Sequence, residues 1–190
     1  MKAVPTYEQA FDILKKYNSD DFHLRHARIV SGVMRSFAQT FDPGREDFWE
    51  VVGLLHDVDF EHYPEEHCVR GEQLLADEGV DDSVVSAAMS HGWGLSGTKH
   101  EPRLLMEKIL FATDELSGLI GAVAIMRPSR SLSDLGLKSV RKKYRQPSFA
   151  AGCSREVIAQ GADMLAWTLD ELIERTLEAM RTIPEIDDLI

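Results

Sequence analysis

The chain has 190 residues, 44% hydrophobic and 28% charged, which is ordinary globular composition and enough length for one well-buried core. Its formal net charge of −11 argues against a general nucleic-acid binder, because neutralising phosphates needs basic surface. No apolar run approaches bilayer-spanning length, the N-terminus lacks a secretory pattern, and Cys68 and Cys153 are too few for a disulfide framework; a cytoplasmic protein with free thiols and no membrane partner is expected.

Taken in order, the sequence predicts helices nearly throughout. Thr6-Tyr7-Glu8-Gln9 reads as a capping box opening a helix to about Tyr17. A second helix starts at Asp20 or Asp21 and runs to about Gln39, before Pro43 and Gly44 break the chain. A third covers about Glu46 to His56, and the loop DVDFEHYPEEH follows. Further helices are expected over about Glu66–Asp77 and Asp82–Ser90, with a glycine-rich loop at His91–Gly97. Pro102 opens a long helix that must stop near Met126, since Pro128 restricts the residue before it. A short helix is expected near Leu137–Tyr144, and Ser154 caps a final long helix to about Thr182. No segment alternates as a strand, so the fold class is all-α, a single helical bundle over residues 1–190.

All seven histidines lie in the first hundred residues. His26 sits centrally on the apolar face of its helix, beside Phe22, Ile29, Val30 and Val33, where an imidazole needs a partner. It is read either as a core histidine bonded to a carbonyl or as a ligand. Asp114 lies mid-helix among Leu110, Phe111, Ser117, Gly118 and Gly121, with no Lys or Arg three or four residues away. A carboxylate there must find a cation, a hydrogen bond or a salt bridge on another element. His56 could cap its helix, but Asp57 is disfavoured at a helix C-terminus. A metal would remove that difficulty, and mixed imidazole and carboxylate ligands suit a borderline divalent ion. His67 and His91 fall at helix ends, where side chains can turn to a shared cleft; His62 competes with His67. Asp59 and Glu61 are additional acids of the loop after Asp57, and could orient water or simply be solvated.

The charge is uneven. Residues 127–145 hold Arg127, Arg130, Lys138, Arg141, Lys142, Lys143 and Arg145 against one acid, Asp134, so the island reads as an anion site or as a solvated face.

The order His26, His56-Asp57, Asp114 on helical segments resembles the HD-domain superfamily of metal-dependent phosphohydrolases. EHCVRGEQLL at 66–75 and SHGWG at 90–94 look like the extra histidine elements of its two-metal members, which map to His67 and His91. The likeness covers nearly the whole chain and is greatest to small bacterial and archaeal predicted hydrolases. One departure is His-Asp-Val-Asp where many members read His-Asp-Ile-Gly.

That resemblance implies a helical bundle with one or two divalent ions (Mn, Fe, Co, Ni, Zn or Mg) in its core, held by His26, His56, Asp57, His67, His91 and Asp114. Asp57 is the expected catalytic, metal-bridging residue, and a metal-activated hydroxide would attack phosphorus. Arg127, Arg130, Lys138 and Lys142 would hold the substrate's remaining phosphate charge. The expected partner is a phosphorylated small molecule such as a nucleotide, on a monomer or homodimer. Two alternatives share the scaffold: a diiron oxygenase, and a non-catalytic metal-containing nucleotide-binding module.

Overall fold

The computed structural model describes residues 2–190, and among these the regular structure is all helical. Helices α1 (Tyr7–Tyr17), α2 (Asp21–Phe41), α3 (Glu46–Leu55), α4 (Val69–Asp77) and α5 (Asp82–Met89) form the first half. The second half comprises α6 (Leu105–Ile125), α7 (Leu137–Tyr144), α8 (Arg155–Met164), α9 (Leu169–Arg181) and α10 (Ile186–Leu189). Short 3₁₀ turns occupy Pro64–Glu66 and Ser90–Gly92, and the only β pairing among the described residues is one isolated bridge, Ala3 to Val80.

Local chemistry sets the helix starts. The Thr6–Gln9 capping box is formed, with the Thr6 N–H donating to Gln9 Oε1 at 2.9 Å. Asp20 caps α2 by accepting the Phe22 N–H at 2.7 Å. Three boundaries differ from the sequence expectation. α4 begins at Val69, because His67 is extended (ψ 140°) and Cys68 is left-handed (φ 65°). α6 begins at Leu105, where the Glu107 carboxylate accepts the N–H groups of Arg103 and Leu104 at 2.8 Å each. The expected single helix over 154–182 is two, broken at Leu165–Thr168 by a left-handed Ala166 (φ 56°) and recapped by Thr168. A non-glycine residue there costs about 1–2 kcal/mol. The offset comes from Trp167, which the break places against Phe37 and Phe41 with ring centroids 6.1 and 5.8 Å away.

One contiguous hydrophobic core takes buried residues from all ten helices. α2 and α6 run through it, and two glycines let neighbouring helices approach them. A Cβ at Gly53 would lie 2.9 Å from the Val30 carbonyl on α2, and one at Gly161 would lie 2.5 Å from Ala112 Cα on α6. No helix among the described residues is long and apolar enough to cross a membrane.

Candidate functional site

Five separate segments bring the sequence-selected residues together. His26 comes from the middle of α2, His56 and Asp57 from the chain just past α3, and Asp114 from the middle of α6. The linker before α4 supplies His67, and the 3₁₀ turn after α5 supplies His91. His26 Nε2 lies 2.9 Å from Asp114 Oδ1 and 3.6 Å from Asp57 Oδ2. His56 Nε2 is 3.3 Å from a carboxylate oxygen of each aspartate. On the other side of Asp57, its Oδ1 is 3.4 Å from His67 Nε2 and 3.2 Å from His91 Nε2. Asp57 therefore stands between two groups of imidazoles. His56 is fully buried, while His26, Asp57, His67 and Asp114 keep 15–16% of their side-chain surface open to a cleft.

Backbone and carboxylate partners fix the ring orientations. His56 Nδ1 donates to the Gly53 carbonyl at 2.8 Å and His91 Nδ1 to the Ala88 carbonyl at 2.7 Å. His67 Nδ1 donates to Asp59 Oδ1 at 2.8 Å. Each bond leaves Nε2 pointing inward. His67 Nε2 and His91 Nε2 then face each other at 2.9 Å, and two neutral lone pairs would repel there, so one nitrogen must carry a proton or share a cation. His56 Nε2 is buried without a hydrogen-bond partner.

Electrostatics follows from this crowding. Burial alone would lower the His56 pKa, but the Asp57 and Asp114 carboxylates outweigh it and raise it to about 10. Burial likewise opposes the charged form of His67, yet its bond to Asp59 lifts it to about 9. Asp114, which burial would raise, is held well below the carboxylate range by His56 and His26. The donor atoms of His26, His56, Asp57 and Asp114 all lie within 4.8 Å of one another, as do those of His67, Cys68 and His91, so either group could hold a metal ion by spacing alone.

The structure separates other candidates. Asp59 is buried and receives both His67 Nδ1–H and the Gly71 N–H (2.6 Å), so it positions His67 from behind and is not solvated. Glu61 accepts the Ser19 and Asp20 N–H groups at 2.8 and 3.0 Å, which anchors the loop to the start of α2. His62 is exposed on the surface. Arg127, Arg130, Lys138 and Lys142 do not line the cleft. Arg127 is engaged by Asp134, with Nε 3.0 Å from Oδ1, while Lys138 and Lys142 lie on α7.

Sequence reasoning missed three contributors. Cys68 adjoins the second imidazole group, with Sγ 3.8 Å from His91 Nε2; its position next to His67 was the available signal. Burial would raise its thiol, but His91 and His67 bring it down to about 6. Glu115 lies in the cleft wall, where burial and the neighbouring Asp114 push it up to about 7. The cleft, about 570 Å³, has an apolar rim of Phe22, Phe60 and Leu95 that nothing in the periodicity distinguished from core.

No family model and no solved structure matches the chain. Among the curated proteins that do are two named tRNA (cytidine(56)-2'-O)-methyltransferase. The one from Picrophilus torridus is 24% identical over 169 residues, covering 80% of this chain and 49% of the relative. That of Thermoplasma volcanium is 26% identical over 128 residues, covering 61% and 38%. The chain thus spans about half the length, or less, of the curated relatives it matches.

These findings correct the resemblance to HD-domain phosphohydrolases: the similar proteins carry names of tRNA methylation, and no HD family matches. The expected metal-dependent phosphohydrolase activity is corrected with it, as are the diiron-oxygenase and nucleotide-binding-module alternatives. So are the divalent-metal cofactor and the pairing with a phosphorylated small molecule in place of nucleic acid. Four ligand-type residues in order make a short pattern, which compact helical packing can also produce, and it carried more weight than it could bear.

Proposed function

We propose that this chain works in tRNA modification, as an RNA-handling helical domain of a tRNA 2'-O-methylation system in the cytoplasm. The observation that carries this is the alignment over 80% of the chain with the Picrophilus torridus protein. Residues 1–190 act as one domain in this reading, and tRNA is its partner.

S-adenosylmethionine is the donor such a reaction uses, and the cleft does not fit it. The floor is a set of imidazoles and carboxylates 2.9–3.6 Å apart, which leaves no separate place for a methyl donor between them. What the cleft does offer suits an unstacked nucleotide. Phe22 and Phe60 are 65% and 40% exposed at its rim, each with a ring face or edge already against an imidazole of the centre. Exposed aromatic faces hold bases by stacking, typically worth about 1–3 kcal/mol per base. His26, Asp57, His67, His91 and Asp114 form the polar floor, where imidazole N–H groups can donate to phosphate oxygens and carboxylates can accept from ribose hydroxyls.

The test is the affinity of the purified chain for a tRNA transcript, read by fluorescence anisotropy, with Phe22→Ala alongside. Saturable binding by wild type, weakened roughly 5- to 100-fold in Phe22→Ala, is expected from loss of one stacking contact. A folded wild-type chain that does not bind tRNA would refute the proposal.

A further inference from the structure

α7 carries a stripe of four cations that the cleft does not use. Lys138, Arg141, Lys142 and Arg145 are all exposed and line one shallow depression. Their spacing of three, four and seven residues places them on one face of the helix. Arg141 reaches α9, where its Nη1 is 2.6 Å from Asp170 Oδ2, so this contact ties the stripe to the body of the protein. Lys138, Lys142 and Arg145 make no ion pair among the described residues. In a chain of net charge −11, Lys138, Lys142 and Arg145 put three unpaired cations on a single helical face.

The stripe is joined to the cleft by a short segment. From Arg145 the chain runs to Gly152 and Cys153, which line the cleft wall. Cys153 is eight positions beyond Arg145, so the two cannot be more than about 29 Å apart. Arg155 holds this connection in one shape, donating to the carbonyls of Ala150 (2.7 Å) and Cys153 (2.6 Å), and also to those of Tyr144, Gln146 and Phe149. The segment that follows α7 therefore reaches the cleft wall in a hydrogen-bonded conformation.

We propose that this face of α7 is a docking surface for the phosphate backbone of RNA. The inference rests on the tRNA reading given above. Charge complementarity selects the occupant: Lys138, Lys142 and Arg145, with no acid between them in sequence and Arg141 held by Asp170, match a strand of phosphates, and Lys and Arg contacts of this kind supply affinity without base readout. An anionic membrane would demand apolar side chains flanking the cations. On α7 these are turned inward, with Val140 fully buried and Leu137 and Tyr144 packed on the core.

The experiment compares the wild-type chain with the triple variant Lys138→Ala/Lys142→Ala/Arg145→Ala. tRNA binding is measured by anisotropy across a salt series, and both proteins are tested for pelleting with vesicles of anionic phospholipid. All three positions are exposed, so unchanged far-UV circular dichroism and melting are expected. The variant should bind tRNA about tenfold or more weakly at low salt, and its plot of log affinity against log salt should be shallower by about 2, the counterions of three lost phosphate contacts. Wild-type binding with an unchanged affinity and slope in the variant would overturn the α7 surface and leave the tRNA reading standing. No binding by wild type would overturn both. Vesicle binding that the substitutions abolish, with tRNA binding unaffected, would overturn the surface in favour of a membrane.

Discussion

Asp57 and Asp59 show how two residues apart in sequence take opposite duties. Asp57 faces imidazoles on both sides at 3.2–3.6 Å, whereas Asp59 turns away and supports one of those imidazoles from behind. The difference follows from the chain leaving helical geometry after Leu55, which sends successive side chains to different neighbours. Glu115 is a third buried acid with yet another setting. Its ionised form is disfavoured by burial and by Asp114, so its folded pKa of about 7 lies above its ordinary value of 4.5. A group raised in this way contributes stability that is complete below about pH 4.5 and is lost as pH rises through about 7. Glu115→Gln removes the charge but keeps an acceptor for the Ser154 N–H. Urea denaturation at pH 5 and pH 8 should show the variant gaining on wild type at the higher pH, by an amount on the order of 2–3 kcal/mol. A difference independent of pH would mean that Glu115 is not held in this environment. The sequence showed Asp114 and His26 because a polar group on an apolar helical face stands out. It could not show Glu115, whose setting depends on α8, and for Cys68 it offered only the adjacency to His67, since its contact with His91 depends on the turn after α5.

At the scale of elements, most helices were readable because caps and breakers act locally. The Thr6 box, Asp20 and the Leu137–Tyr144 helix all depend on a few adjacent residues. The break at Leu165–Thr168 was not readable, since Leu165, Ala166 and Trp167 continue a helical pattern. What ends α8 is distant: Trp167 stacks on Phe37 and Phe41 of α2, and Arg175 of α9 lies 4.8 Å from its ring centroid. α8 in turn approaches α6 closely at Gly161, where an added Cβ would meet Ala112 Cα at 2.5 Å. Gly161→Ala must push the two helices apart and should destabilise by about 1–3 kcal/mol in urea denaturation. Because Val157 of α8 and Asp114 and Glu115 of α6 all line the cleft, the same variant should also lower tRNA affinity. An alanine variant as stable as wild type would show that the helices are not in contact there.

For the whole molecule, net charge is a coarse guide to partners. A total of −11 argues against nucleic acid, yet two curated relatives are named as tRNA methyltransferases, and the cations of α7 share one face. Summed charge describes solubility and long-range repulsion, while binding depends on where the charges sit. The acids are spread over many elements and often paired, as at Glu50 with Arg35 and Glu78 with Lys16. The all-helical class was legible from periodicity over the whole chain, whereas partner and activity were not. The most direct measurement is photocrosslinking of a tRNA transcript carrying 4-thiouridine to the wild-type chain, with the linked peptides identified by mass spectrometry. Crosslinks are expected at the cleft rim around Phe22, Phe60 and Leu95 and in the segment from α7 to Cys153. Crosslinks confined to other faces, or none from a folded chain, would contradict this placement of the RNA.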